Sequence, residues 1–534
     1  MKKILSCTFC FILVLQAALL ASPFSWADSI SGNGTGTGNS MASDFEDNLY
    51  VCGQLSGNFE AGKTKISGHN GFIAKYNREG FLIWALPLPG LTCKSISIDA
   101  YQNACVAGYF SDSVHIGNVT LKSTGLNDFF ILKFDSLGNL VWNKTGGGFG
   151  NDYAFSVAND LSGNTFITGS FEDYINFDQS NSILSVGKSD MFVVAYDSAG
   201  DFIWAQDGGG SGADAGIDVK IDLDSNVFVA GYFTGKAMFH NNTIQSKGER
   251  NIFIAKYTSL GYQLNVYTAG GAGDAIPTDM SLDGSGNVYL SGVYNGSASF
   301  GNKTIAASGS DGFIAAYNNN LNINWLYSIG GAGNDAALGI KSDWQSNIFL
   351  TGVFTGIANF GGHSMTSAGL TDIFILKYDA SGRLLWSEKA GGTGADSAFA
   401  ITNDFDDIAT ITGSIGAESN FGDIKLGADT GGSFFISQLQ LTPAGIGGSN
   451  ISIPRIQLFP NPSGGIFYLD AADALKSPFD IRISDLAGRI VLEKNDFQAQ
   501  KTSFDLTNEA DGIYFISIKN EAGINTLKLV KTGR

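Results

Sequence analysis

An aromatic five-residue stretch returns seven times along this chain at a nearly constant interval, and a chain built from one repeated block has few ways to hide the apolar faces it makes. The copies are Phe72-Ile-Ala-Lys-Tyr76, Phe130-Ile-Leu-Lys-Phe134, Phe192-Val-Val-Ala-Tyr196, Phe253-Ile-Ala-Lys-Tyr257, Phe313-Ile-Ala-Ala-Tyr317, Phe374-Ile-Leu-Lys-Tyr378 and Phe435-Ile-Ser-Gln-Leu439. Their first residues lie 58, 62, 61, 60, 61 and 61 positions apart. Self-similarity at such a period marks seven copies of one supersecondary unit.

Every unit has the same internal order, shown here by the third. Ser156–Asp160 is strand a, the turn Leu161-Ser-Gly-Asn164 leads to strand b at Thr165–Phe171, and an excursion containing Phe177 leads to strand c at Met191–Tyr196. The turn Asp197-Ser-Ala-Gly200 then leads to strand d, Phe202-Ile-Trp204, and a Gly-rich crossing from Gly208 to Asp214 starts the next unit. Four antiparallel strands joined by tight turns and followed by a longer crossover make one propeller blade. Strand c is apolar on both faces, so each blade needs a neighbour on either side. Recurring aromatics belong between blades: Phe110, Phe171, Phe233, Tyr294 and Phe354 after strand b, with Leu55 and Ile415 at the same position, and Phe59, Phe177, Phe239, Phe300, Phe360 and Phe421 in the excursion.

Register predicts how the ring closes. Strand d carries Trp84, Trp142, Trp204, Trp325 and Trp386, and the fourth copy, Leu264-Asn-Val266, lacks its Trp. No such strand follows the seventh strand c, yet Trp26 precedes Asp44 by the same 18 residues that separate Trp142 from Asp160 and Trp204 from Asp222. Residues 23–27 are therefore expected to supply the outer strand of the seventh blade. That requires signal cleavage after Ala21 rather than after Ala27.

Taken together, Asp-x-Phe-Ile-x-Lys-Tyr, Gly-Asn-x-x-Trp, Gly-Gly-x-Gly-x-Asp and Asp-x-x-Gly-Asn resemble the bacterial SBBP-type seven-bladed β-propeller repeats. The resemblance covers roughly residues 22–440. It implies a secreted or surface propeller with no common activity, and no catalytic residues come with it.

The last eighty or so residues read differently. Ile481 and Ile483 alternate with Arg482 and Ser484, and Tyr514, Ile516 and Ile518 alternate with Phe515, Ser517 and Lys519, as strands with one buried face do. Asp485-Leu-Ala-Gly488 and Asn520-Glu-Ala-Gly523 are hairpin turns. Three motifs, Phe459-Pro460-Asn461-Pro462, Asp485-x-x-Gly488-Arg489 and Gly512-Ile513-Tyr514-Phe515, resemble the C-terminal sorting domain of proteins exported by the Bacteroidetes type IX secretion system. The resemblance implies that residues 451–534 are read by that machinery and then removed.

At the other end, Lys2 and Lys3 precede an interrupted apolar stretch from Ile4 to Ala21, too short for a comfortable membrane span and consistent with a secretory signal peptide at 1–21. The organisation expected is all-β: signal peptide, seven-bladed β-propeller over 22–440, flexible linker at 441–450, and a small Ig-like β-sandwich over 451–534. With 70 Gly and 9 Pro in 534 residues the chain is turn-rich without being collagenous. A net charge of −18 argues against nucleic acid and anionic membrane as partners. Cys52, Cys93 and Cys105, three after the signal peptide, cannot form a disulfide framework; Cys93 and Cys105 could share adjacent strands or be buried free thiols.

Chemistry is harder to find. His69, His115, His240 and His363 share no repeat position, and no nucleophile elbow, zinc helix or Cys pair is present. The crossovers end in Asp152, Asp214, Asp274, Asp335 and Asp396, which could form an acidic ring for a ligand or Ca²⁺; alternatively each is a turn former accepting backbone N–H groups. Hairpin segments such as Asp160–Asn164, Asp222–Asn226 and Asp283–Asn287 resemble calcium loops but are explained by turn chemistry. Lys75, Lys133, Lys256 and Lys377 are read as edge charges with their heads in water.

The function expected is a non-catalytic binding or adhesion module on the cell surface or outside the cell, with a glycan or protein ligand on one face or on the b–c excursions and no cofactor required. The alternatives are a polysaccharide lyase or hydrolase with a site at the ring axis, and a structural spacer. A cluster of His, Tyr, Arg and acidic groups at the axis would favour the enzyme; an aromatic patch on one rim would favour binding.

Overall fold

The computed structural model describes residues 22–29, 34–61, 64–343, 345–404, 408–427, 432–439, 457–459, 463–470, 479–485, 489–497, 501–520 and 523–531. The signal peptide and the linker expected from sequence lie outside these residues, as do Pro460, Asn461, Pro462 and Gly488. Among the described residues the chain is all-β, with no helix long and apolar enough to cross a membrane.

The strands of each repeat pair antiparallel in the order a-b-c-d, numbered here as sheets 1 to 7 in chain order, and pairing of the b–c hairpin with the preceding strand d joins some of these groups into larger sheets. In sheet 1 the strands are Thr35–Ser43, Leu49–Ala61, Thr64–Tyr76 and Leu82–Pro89. The inner strands of sheets 2 to 7 are Leu91–Ile98, Asp152–Asn159, Ala215–Ile221, Ala275–Leu282, Ala336–Ser342 and Ser397–Asn403. Each inner strand lies beside the next, and the one in sheet 7 lies beside that of sheet 1, which is a propeller arrangement around an axis. The core is accordingly divided among seven clusters, each made from two neighbouring sheets. Phe171 and Phe177 of sheet 3 join Phe129 and Ile131 of sheet 2; Leu55, Phe59 and Phe72 of sheet 1 join Phe434 and Ile436 of sheet 7. Placing the recurring aromatics between sheets follows from strand c being buried on both faces, as in Asp190–Tyr196.

The outer strand of sheet 7 comes from the start of the chain. Phe24–Ser29 pairs antiparallel with Ser433–Leu439, a slightly longer and later strand than the 23–27 read from register. Trp26 occupies the position of the other outer-strand tryptophans. Elsewhere the indole Nε1 donates to a carbonyl in the next sheet's c–d turn: Trp84 to Ser136 at 3.2 Å, Trp142 to Ser198 at 3.1 Å, Trp204 to Ser259 at 2.9 Å and Trp325 to Ala380 at 3.0 Å. A positive-φ glycine in that turn lies flat over the ring, and Gly80 of sheet 1 lies over Trp26 as Gly261 lies over Trp204. The Nε1 of Trp26 instead donates to Gln438 Oε1 at 2.9 Å. Between sheets 4 and 5, Asn265 stands at the Trp position, paired with Lys256 as Trp142 is with Lys133, and the turn glycine becomes Leu321, buried at φ 61°, whose side chain joins the interface core.

One expectation changes. Lys75, Lys133 and Lys377 are buried rather than held in water, and each meets the Asp of its own sheet's a–b turn: Lys133 with Asp99 at 2.8 Å, Lys75 with Asp44 at 3.2 Å and Lys377 with Asp343 at 3.9 Å, while the partly exposed Lys256 stands 3.8 Å from Asp222. The turn Asp also accepts two backbone N–H groups, as Asp160 does from Ser162 and Asn164, so the hairpins that resembled calcium loops are Asp-capped turns. The b–c excursions are themselves built as short hairpins. In sheet 4, Lys236–Phe239 and Asn242–Gln245 form a hairpin that pairs with Gly209 and Gly210 at the end of the preceding strand d. A β-carbon on Gly210 would sit 2.0 Å from Lys236 O, which is why the crossing is Gly-rich.

Cys52, Cys93 and Cys105 are free and buried, and in the strand pairing Cys93 faces Gly108 while Cys105 faces Ser97. In the C-terminal segment, a three-stranded sheet and a four-stranded sheet share a core of Phe467, Leu469, Ile481, Ile483, Phe504, Tyr514, Ile516 and Ile518. The alternation read for its strands is the alternation of buried residues there.

Candidate functional site: the mouth of the axial channel

The crossover carboxylates take up local N–H donors. Asp214 accepts from Gly210 N and Thr234 N, both at 2.8 Å, and Asp335 accepts from Gly331 N at 2.7 Å and Thr355 N at 2.8 Å. Asp396 accepts from Gly392 N at 2.7 Å, Gly416 N at 3.0 Å and Ser419 Oγ at 2.8 Å, and Asp152 from Gly148 N at 2.6 Å. Asp274 is held by Arg250 through two guanidinium nitrogens, at 3.1 and 2.6 Å. Among the described residues no three His, Cys, Asp or Glu side chains gather as a metal site.

Register alone did not reveal that four of these five face a second Asp at the start of strand c. A β-carbon on Gly209 would lie 2.4 Å from Asp190 Oδ1 and 2.9 Å from Asp214 Oδ2; Gly330 stands likewise between Asp311 and Asp335, and Gly391 between Asp372 and Asp396. The fourth pair is Asp128 with Asp152, which feels its charge. The Oδ1 atoms of Asp128, Asp190, Asp311 and Asp372 are buried without a hydrogen-bond partner. Burial pushes the Asp152 carboxyl up to about 8, with the Asp128 charge adding to it, and Asp214 up to about 6. Facing Asp274, the strand-c residue is Asn251, whose Nδ2 reaches Ala269 O at 3.4 Å, and Arg250 holds the Asp274 carboxyl below the usual range.

A channel of about 290 Å³ runs along the axis. A β-bulge in each inner strand leaves one residue unpaired and turned toward it: Asn39, Lys94, Phe155, Ile217, Thr278, Leu338 and Phe399. The next residue links neighbouring sheets by accepting an N–H. Ser40 takes it from Ile96 at 3.2 Å, Ser95 from Val157 at 3.2 Å, Ser156 from Val219 at 3.3 Å, Asp218 from Met280 at 2.9 Å and Asp279 from Ile340 at 2.9 Å. Lys220 reaches Asp218 at 2.6 Å and Asp279 at 3.4 Å; burial opposes its charge, yet the two carboxylates hold it above the ordinary lysine range. Lys341 stands open to the channel, and desolvation by its walls, together with the Lys220 charge, holds it below that range. Burial does the same to Lys94.

At one side of the mouth the repeat is broken by aromatics. Phe155 stacks on Tyr153 with centroids 5.8 Å apart, Tyr153 and Tyr109 pack in a T-shaped pair with centroids 4.7 Å apart, and Lys94 Nζ lies 5.8 Å from the Tyr109 ring. Asn127 Nδ2 bonds Asn151 Oδ1 at 2.8 Å and lies 3.5 Å from the Tyr153 hydroxyl, and Asn151 is held by Glu172 at 3.0 Å. Burial holds the Tyr153 phenol in its protonated form. Beyond it, Phe149 is exposed against Tyr174. In the sheet pairing, Thr92 with Tyr109 and Tyr153 with Ser170 correspond to Ala215 with Tyr232 in the adjoining sheet 4, whose ring lies 5.5 Å from the Arg250 guanidinium, and on the far side to Ile276 with Val293, Ala336 with Val353, Ser397 with Ser414 and Thr37 with Gln54. His115, His240 and His363 stand exposed on the b–c hairpins.

Of the sorting-motif residues, Gly512 adopts φ 154° at the start of its strand and Tyr514 is buried, its hydroxyl donating to Ala510 O at 2.6 Å. Arg489 spans Asp485 at 2.9 Å and Glu509 at 2.8 Å.

Residues 457–532 match the secretion system C-terminal sorting domain, which implies export to the cell surface or the extracellular space. The chain is 23% identical over 359 residues to an uncharacterized WD repeat-containing protein of Acanthamoeba polyphaga mimivirus, a match spanning 58% of this chain and 23% of that protein's length. Among solved structures, it is similar to the Dos1 propeller, at 12% identity and TM-score 0.33 over 83% of this chain and 94% of that one. It is also similar to the GH74 xyloglucanase of Xanthomonas campestris, at 10% identity and TM-score 0.37 over 95% and 68%.

Proposed function

We propose that the protein is a seven-bladed β-propeller of the SBBP type, exported by the type IX secretion system of a Bacteroidetes cell through an Ig-like C-terminal domain, and that it works outside the cell as a non-catalytic binding module. The observation that carries the reading is the one-sided aromatic rim of the axial channel. Residues that recur in every unit are needed to build the ring, so a ligand site has to be sought where units differ. Tyr109, Tyr153, Phe155 and exposed Phe149 cluster in one sector at the mouth. Flat aromatic faces flanked by amide and carboxylate groups suit the alternating apolar and hydroxylated surfaces of a sugar ring better than they suit proton transfer. The channel's carboxylates also favour binding over hydrolysis, because Asp218 and Asp279 are engaged by backbone N–H groups and by Lys220.

The test is a glycan array probed with the purified chain and with Tyr109→Ala and Tyr153→Ala variants. Specific binding that both variants abolish supports the reading; binding to no glycan, or binding indifferent to both variants, sinks it. For the export half, removal of residues 451–534 should leave the protein inside the outer membrane in a fractionated culture.

A further inference from the structure

The balance of charge in the channel narrows the ligand. Three lysines, Lys94, Lys220 and Lys341, and two aspartates, Asp218 and Asp279, line it. Asp218 is saturated, accepting from Ser156 Oγ at 2.5 Å, Val219 N at 3.0 Å, Met280 N at 2.9 Å and Lys220 Nζ at 2.7 Å. Asp279 accepts from Met280 N at 2.8 Å, Ile340 N at 2.9 Å and Lys220 at 3.4 Å. Three lysines against two aspartates leave the channel a surplus of one positive charge, and because Lys220 is the lysine that contacts both carboxylates, that surplus is presented by Lys94 and Lys341. That surplus is positive inside a chain of net charge −18.

Lys94 stands at the aromatic rim, so a cation and two tyrosine faces meet at one place. Lys341 sits farther along the inner strand, three residues past the bulge residue Leu338. A ligand that uses both features needs an apolar ring face and a single negative charge on the same ring. Nucleic acid, with about one charge per 1.7 Å of duplex axis, is repelled most by the long-range field of the protein, whereas a short saccharide with one carboxylate per ring has a lower charge density and is repelled less. The channel volume accepts about one such ring.

We infer that the rim and channel bind a carboxylate-bearing sugar, a uronic acid unit at the end or within a polysaccharide, with its ring on Tyr109 and Tyr153 and its carboxylate drawn to Lys94 and the channel. This rests on the binding reading above and adds the ligand class to it. Protonation of both lysines strengthens the attraction, and burial has lowered their proton affinity, so the affinity falls as pH rises toward alkaline values.

The experiment is calorimetric titration of the full chain with tri-galacturonate and, in parallel, with a neutral galactose trisaccharide. Saturable binding of the acid at least tenfold tighter than of the neutral sugar is expected, lost by tenfold or more in Lys94→Met and in the gentler Lys94→Gln. The exposed Lys236→Gln should leave it unchanged, and melting curves should show that all variants fold. Equal binding of the two sugars, or unchanged affinity in both Lys94 variants, overturns the inference while leaving a neutral-glycan module standing. Binding of an oligo-glutamate peptide in place of the uronate also overturns it, and failure to bind any sugar removes both readings.

Discussion

The junction between sheets 4 and 5 is assembled from other parts than the junction between sheets 3 and 4 beside it. In the ordinary junction Trp204 lies under Gly261, and Asp190 faces Asp214. In the exceptional one Asn265 stands at the Trp position, Leu321 enters the interface core, and Arg250, beside Asn251, holds Asp274. Three departures at one interface compensate one another, because a small residue calls for a large one opposite and an amide with a guanidinium replaces a second carboxyl. The lesson is that each junction is a separate packing and charge problem, solved locally, and the ring tolerates different solutions side by side.

The seventh junction offers the harshest way to break that comparison, since its Trp comes from a strand far away in sequence. A chain beginning at Asp28 would lose Phe24 and Trp26, and should be destabilised by roughly 5 kcal/mol or more, read by denaturant unfolding. Mass measurement of the mature protein should accordingly place its N-terminus before Phe24. Lys133→Met comes next. It strands Asp99 in the core and should cost about 3–5 kcal/mol, while Lys256→Met, whose pair is longer and partly exposed, should cost far less; equal losses would refute the ranking.

Converting one junction into the other sharpens the comparison. Trp204→Asn alone should cost roughly 3–5 kcal/mol, and adding Gly261→Leu should recover part of it despite the positive φ. A double variant less stable than the single one would show that Leu321 does not compensate for Asn265. The smallest effect concerns pH. Asp152 and Asp214 bind protons more tightly folded than unfolded, so their contribution is fully present below pH of about 4 and is lost as pH rises through about 6 for Asp214 and about 8 for Asp152. Melting temperature should therefore fall between pH 5 and pH 8.5. Asp128→Asn, which copies Asn251, should flatten part of that fall and gain on the order of 1 kcal/mol at the upper end.

Much of the ring was legible because its signals are local and repeated: strand order, turn residues, the missing fourth Trp and the 18-residue interval that placed Trp26. Lys133 was misread because a lysine ending an apolar strand looks the same whether it faces water or an Asp in the preceding turn. The Asp pairs were half visible, since the crossover Asp was singled out but its strand-c partner, some 24 residues earlier in sequence, was not. The aromatic rim was invisible for a different reason. Tyr109 and Tyr153 belong to different sheets, and only the bulge that turns Phe155 and Lys94 toward the axis brings them into one surface.

The pairing of Phe24–Ser29 with Ser433–Leu439 has a kinetic side. Its hydrogen bonds join residues more than 400 apart, Trp26 to Gln438 among them. Whatever forms earlier, the circle stays open until the final repeat has been synthesised, so the first residues of the mature chain wait for nearly the last of the domain. Contacts of such long sequence range form slowly, and a polypeptide bound for a membrane passage gains from being late to lock.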